Sequence, residues 1–430
     1  MEEGSTLLTD VFHAYFDARR HKRNTESQLA FEMDLESNLV ALYEEVKNRT
    51  YTPSPAVCFL VHYPVKREIF ASQFRDRVIH HLLYNYIAPV FEREMIYDSY
   101  SCRKGKGTLF GVERMEHHIR SCTDNYRQQA WVLKLDLKGY FMSIDKKILY
   151  ELIMQTLEAY WQRPCGSGDG RTWAERMDTD TIRFLLRTIL FKDPTRNCEI
   201  RGDRKGWDDL PPSKSLLKSP PGVGLPIGDL TSQLFSNVYL NRLDNFVKRT
   251  LRCKHYGRYV DDFFIIDTSR VRLKSLIPLL RDFLHDELHL TLHPNKIVLQ
   301  RHTHGVPFLG TCLKPHRNYA VKRTMGALRL AVRRMEGRIE DREPSYEVLV
   351  KMQRTLNSYL GYLIHVKRLR FLHGLLDASP LQVYFQFKNE YSKAAIRKEY
   401  KPCMRKDEQP ETDFEVLLSD RDERFNTTEL

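Results

Sequence analysis

Apolar and polar positions change period several times along the chain. From residue 7 to 43 they recur at helical spacing, with Val11, Tyr15, Leu29, Phe31 and Leu39 on the apolar side, and the basic knot Arg19-Arg20-His21-Lys22-Arg23 interrupts them. Residues 51–70 alternate as strands do and deliver Lys66 and Arg67 just after Pro64. Two further runs are continuous: 131–135 closes on Asp136, and 263–266 follows 255–258 across Tyr259-Val260-Asp261-Asp262. That second pair of runs predicts a β-hairpin with two carboxylates at its turn. Gly and Pro punctuation from about 165 to 220 predicts a loop-rich insertion with a helix over 181–190 inside it. Residues 325–340 and 346–376 predict two helices with apolar stripes and basic faces, Arg329, Arg333 and Arg334 on the first and Lys367, Arg368 and Arg370 on the second. From 407 to 424 the balance turns acidic, as expected of a flexible tail.

Burying strands while leaving charges at their ends is costly unless a cation sits there, because a desolvated carboxylate changes its pKa or finds a partner. Asp136, Asp261 and Asp262 offer hard oxygen ligands, and no zinc-type His/Cys spacing surrounds them. That donor set suits Mg²⁺, with Mn²⁺ as a substitute. Two such ions roughly 3.5 to 4 Å apart support in-line nucleotidyl transfer by activating a 3′-hydroxyl and stabilising pyrophosphate. The backbone carbonyl of Leu137 could add a further ligand.

At this point the chain resembles the prokaryotic reverse transcriptases over about residues 55 to 375. Arg75-Asp76-Arg77-Val78-Ile79-His80-His81 and Ser99-Tyr100-Ser101-Cys102-Arg103-Lys104-Gly105-Lys106-Gly107 resemble the early fingers motifs. Residues 136–141 and 259–262 match the two palm carboxylate motifs, and His293-Pro294-Asn295-Lys296 and Phe308-Leu309-Gly310 resemble the lysine motif and the primer grip. Where most members carry Gln-Gly-x-x-x-Ser-Pro, this chain has Ile227-Gly228-Asp229-Leu230-Thr231-Ser232-Gln233, a variant similar to the enzymes of diversity-generating retroelements. Those enzymes copy a template RNA with frequent errors opposite adenine.

The resemblance implies an α+β right-hand polymerase. Residues 1–50 would form a helical extension, 51–130 fingers, 131–310 a palm with an antiparallel sheet, 311–400 a helical thumb and 401–430 the tail. Asp136, Asp261 and Asp262 would be catalytic metal ligands, and Lys296 would protonate the leaving group. Lys66, Arg67, Phe141, Ile227, Gly228, Gln233 and Tyr259 would meet the incoming deoxynucleoside triphosphate. Phe141 would exclude a 2′-hydroxyl, and Ile227 would lack the polar contacts that police a base pair. A core role for Phe141 and a solvated surface pair for Lys66-Arg67 are the competing readings. Arg103, Lys104, Lys106, Phe308, Leu309, Gly310, Arg333, Arg334, Lys367 and Arg368 would contact nucleic acid. Implied partners are template RNA, its cDNA and a small, basic, multimeric accessory protein. The competing functions are a phage-defence reverse transcriptase with its own noncoding RNA, and an RNA-binding or splicing factor with a vestigial site.

Charge and cysteines change this picture little. A net charge of +12 and a pI near 9.2 favour a polyanionic partner. Eight scattered cysteines without a C-x-x-C pair suit reduced thiols rather than zinc or disulfides. No run of about 18 apolar residues occurs, so a cytoplasmic protein without a membrane partner is expected.

Overall fold

A computed structural model of the chain describes residues 3–20, 25–62, 65–164, 172–176 and 178–401. The chain divides into two units, one of residues 1–309 with 313–315 and one of residues 310–312 with 316–430. Its class is α+β with mainly antiparallel sheets.

In the first unit the helical period near the N-terminus becomes α1 (Glu3–Arg19), α2 (Glu26–Glu32) and α3 (Leu35–Lys47). The alternating stretch folds into the antiparallel hairpin β1 (Val57–Val61) and β2 (Arg67–Ala71). Helices α4 (Phe74–Glu94) and α5 (Thr108–Cys122) precede β3 (Trp131–Leu135), and the short α6 (Tyr140–Ser143) and longer α7 (Lys146–Trp161) follow it.

The expected insertion is only partly loop. Beyond α8 (Trp173–Arg176) it holds α9 (Thr179–Phe191), which includes the predicted helix, and β4 (Glu199–Arg201), which pairs parallel to β1 with Val57 opposite Glu199. A buried carboxylate docks the rest. Glu68 of β2 accepts from Trp207 Nε1 at 2.8 Å, Ser215 Oγ at 2.7 Å and the backbone N–H of Leu216 at 2.5 Å. A buried charge satisfied three times over ties this stretch to the hairpin as part of the fold.

Helix α10 (Leu230–Asn245) leads into β5 (His255–Tyr259) and β6 (Asp262–Asp267), the predicted hairpin. Then come α11 (Arg270–Leu288), β7 (Val298–Arg301) and β8 (Val306–Phe308). Strands β5, β6, β3 and β7 form one antiparallel sheet in that order. Leu133, Leu135, Phe263 and Ile265 lie in the main core with residues of α7, α10 and α11, whereas Val132, Phe264 and Ile266 join Val112, Met115 and Ile119 of α5 in another. Both faces are covered. That is why β3 and β6 read as continuous apolar runs.

The chain then runs through β9 (Thr311–Lys314) and β10 (Arg317–Ala320). The second unit contains α12 (Lys322–Asp341), α13 (Tyr346–Leu363), α14 (Leu369–Leu376), α15 (Leu381–Tyr384) and the hairpin β11 (Phe385–Lys388) with β12 (Lys393–Ile396). Leu328, Val332, Leu356, Leu360, Leu372 and Phe385 share its core. The single helix expected over 346–376 is broken at 364–368. There Val366 turns into the core and the Lys367 N–H donates to the Asn318 carbonyl, so the chain folds back.

The described cysteines are free thiols. Among the described residues no helix is long and apolar enough to cross a membrane.

Candidate active site

Register brings the three carboxylates to one end of the four-stranded sheet. Tyr259 faces Asp262 across the hairpin, and Leu135 faces Phe263, so Asp136 stands one residue past the last β3–β6 pair. Asp261 occupies the turn beside Val260, whose φ of +55° is left-handed. The His293 N–H donates to the Asp136 carbonyl and the Lys138 N–H to the Thr291 carbonyl. These bonds flank the Leu137–Leu292 bridge, which leaves the Leu137 carbonyl turned toward the β6 side.

Lysines compensate two of the three acids. Lys296 Nζ lies 3.0 Å from both Asp136 carboxylate oxygens, and Lys134 Nζ lies 3.4 Å from Asp262. Asp261 has no ion pair among the described residues. Burial pushes its pKa up from 3.8 to about 6, and the neighbouring Asp136 adds to the effect. Burial also raises Asp262, which Lys134 opposes.

No three His, Cys, Asp or Glu side chains among the described residues form a ready-made metal cage. Ammonium groups pair with Asp136 and Asp262 here. The donor chemistry fits a hard divalent cation: three half-buried acids at one sheet end face two lysines, and Asp261 has neither lysine in direct contact.

The residues expected to meet the nucleotide come from the β1–β2 hairpin, α6, the 227–228 segment, α10 and β5. The Phe70 N–H donates to the Ile227 carbonyl at 3.0 Å, which lays the 227–228 segment against β2. At Gly228, with φ of +143°, an added Cβ would stand 2.6 Å from the Phe70 carbonyl oxygen. Gly139, at φ +58° before α6, approaches Ser213 just as closely. Phe141 and Ile227 are both half-buried and border one apolar cluster of Cys58, Phe70, Met142, Trp207 and Leu216. Phe141 is thus partly core. Lys66 is held by Asp209 at 3.1 Å, Arg67 and Gln233 are exposed, and Tyr259 bonds Ser101.

Several residues expected to touch nucleic acid face inward. Arg103 pairs with Glu92 at 2.9 Å and donates to the carbonyls of Ile96 and Ser99 at 2.7 and 3.0 Å. Lys106 donates to the Tyr97 carbonyl and lies over that ring, and burial brings it down to about 8. Lys104 is exposed. Phe308 is buried, with its ring 5.3 Å from Phe264, and Leu309 packs beside it at φ +46°. In the second unit Gly310 sits against Tyr362, Arg333, Arg334 and Lys367 are exposed, and Arg368 donates to the Ile364 carbonyl at 2.8 Å. His21, Lys22, Arg23 and the acidic tail lie outside the described residues.

Lys134 escaped the sequence reading although a signal was present: it lies two residues before Asp136 in an apolar strand and so shares its face. Glu68, Asp209, Asp244 and Arg258 carried no such local mark.

No family model matches this chain. It is 20% identical over 326 residues to Protein YkfC of Escherichia coli (strain K12), covering 67% of this chain and 73% of that protein. Among solved structures, telomerase from Candida albicans in complex with a fragment of telomeric RNA overlays with a TM-score of 0.43 at 12% identity over 82% of this chain. Apo telomerase from Candida tropicalis truncated from its C-terminal domain gives 0.42 at 13% identity over 65%. This chain spans 62% and 58% of those two chains.

Proposed function

We propose that this protein is an RNA-directed DNA polymerase, a reverse transcriptase of the diversity-generating kind. The observation that carries this reading is the placement of Asp136, Asp261 and Asp262 at one end of an antiparallel sheet, with Lys296 on Asp136. In this reading β1, β2 and α4 belong to the fingers, the four-stranded sheet is the palm, and the second unit is the thumb.

Asp136, Asp261 and Asp262, with the Leu137 carbonyl, would hold two Mg²⁺ ions, which when bound supply the charge that nucleotidyl transfer requires. The chain's own groups do the rest. Lys66 and Arg67 bind triphosphate oxygens once Lys66 leaves Asp209. Lys296 Nζ, freed from Asp136, delivers a proton to the departing pyrophosphate. Phe141 excludes a 2′-hydroxyl by bulk. Ile227, apolar and packed on Phe70, offers no side-chain hydrogen bond to a base pair, which supports error-prone copying. Lys104, Arg333, Arg334 and Lys367 remain free for phosphates of the template RNA and cDNA. The net charge of +12 suits that polyanion, and a small basic multimeric accessory protein is the further partner in this reading.

The test is primer extension on a defined RNA with deoxynucleotides and Mg²⁺, followed by sequencing of the product. The reading expects DNA whose errors cluster opposite adenine. Faithful DNA would point instead to an ordinary or phage-defence reverse transcriptase, and no extension at all to an RNA-binding protein.

A further inference from the structure

Beneath the carboxylate turn lies an ion pair that the proposed chemistry does not use. Arg258 and Asp244 are both fully buried, with Arg258 Nε and Nη2 donating to the two Asp244 oxygens at 2.7 Å each. The Tyr256 hydroxyl donates to Asp244 at 2.6 Å. Arg258 Nη2 also reaches Ser99 Oγ at 3.2 Å, and Nη1 reaches Asn237 Oδ1 at 3.3 Å. One donor of the fork points elsewhere: Nη1 donates to the Val260 carbonyl at 2.9 Å.

Core stability does not account for such a pair, since apolar residues of similar volume often serve as well or better. The turn above it does. Val260 stands at φ +55°, a left-handed conformation that is unfavourable for a β-branched side chain and persists only where its surroundings impose it. Val260 immediately precedes Asp261 and Asp262, so relaxing its φ would swing both carboxylates away from Asp136. Asp244 belongs to α10, the helix that follows 227–229, and the pair therefore also references the turn to the proposed nucleotide surface.

We propose that Arg258, oriented by Asp244, is a positioning residue whose grip on the Val260 carbonyl holds the strained turn and sets the spacing of Asp261 and Asp262 from Asp136. This inference rests on the two-metal reading above.

The experiment titrates Mn²⁺ into the full chain, follows loss of the free-ion signal by electron paramagnetic resonance, and measures single-turnover incorporation in parallel. Arg258→Lys keeps the charge but loses the fork. It is expected to weaken Mn²⁺ binding about tenfold and slow incorporation by about 100-fold, the loss expected of a displacement near 1 Å. Adding Val260→Gly, which reaches positive φ without help, should restore about tenfold of the rate and most of the Mn²⁺ affinity without restoring melting temperature. Asp244→Asn, isosteric with the parent, takes the place of Arg258→Lys if that variant does not fold.

A double variant as weak in Mn²⁺ binding and as slow as Arg258→Lys alone would make the pair purely structural and overturn the proposal. Asp261→Asn serves as the control. If it binds Mn²⁺ as the parent does, the two-metal reading fails and this inference falls with it. If it loses Mn²⁺ while glycine fails to rescue, only the positioning role is refuted.

Discussion

Neutralising Asp261 should stabilise the metal-free protein while destroying its activity. Folding raises this carboxyl from 3.8 to about 6 through burial and the nearby charge of Asp136, which Lys296, paired with Asp136, offsets only in part. The sign follows from linkage. Below about pH 3 the group is protonated in both folded and unfolded chains and costs nothing. As pH rises toward 6 the unfolded chain releases its proton first, so the folded state loses stability, and above about pH 6 the penalty is complete. A shift of about two units corresponds to a ceiling near 3 kcal/mol, and water reaching the open end of the sheet lowers this to roughly 1 to 2 kcal/mol. For a unit of this size that is a gain of roughly 2 to 5 °C in melting temperature for Asp261→Asn. The assay is thermal melting of parent and variant in EDTA at pH 7.5 and again near pH 3, below the unfolded value, where the difference should vanish. Adding Mg²⁺ should raise the parent and leave the variant unmoved, because only the parent binds it well. A variant that melts below the parent in EDTA at pH 7.5 would refute the reasoning, since Asp261 would then be satisfied by the fold itself.

Three further outcomes are expected. Glu68→Ala leaves Trp207, Ser215 and Leu216 donors buried and unpaired, so urea unfolding should show a loss of about 2 to 4 kcal/mol and limited proteolysis should open residues 199–220; unchanged protection of that stretch would mean it docks without Glu68. Phe141→Ala should lower discrimination against ribonucleotides by about tenfold in competition assays; unchanged selectivity in an active variant would return Phe141 wholly to the core. Ile227→Gln should reduce misincorporation opposite adenine about three- to tenfold, the worth of one recovered hydrogen bond, and an unchanged error spectrum would remove Ile227 from the fidelity account.

What was legible in the sequence was what local chemistry marks. The β5–β6 hairpin announced itself by an acidic turn followed by a continuous apolar run, and β3 by an apolar run ending on Asp136. Their pairing is the natural result of two strands that must both be buried. The partners of the charges were illegible. Lys296 reaches Asp136 across 160 residues and Glu68 takes a hydrogen bond from Ser215 across 147, and an isolated charged residue in sequence resembles any solvated one. Arg103 shows the same limit from the other side: in the string Arg103-Lys104-Gly105-Lys106 it reads as a phosphate contact, yet its fork is occupied by Glu92 and backbone carbonyls. The break at 364–368 was hidden because Val366 keeps the apolar rhythm through the turn.

The measurement that bears most directly on the central claim is single-turnover addition of one deoxynucleotide to a primer on an RNA template, comparing the parent with Asp136→Asn and Asp261→Asn in Mg²⁺. The account predicts rapid addition by the parent, a fall of at least about 10³-fold in each variant, and template-primer binding unchanged within about twofold. Near-parental addition by either variant would contradict it.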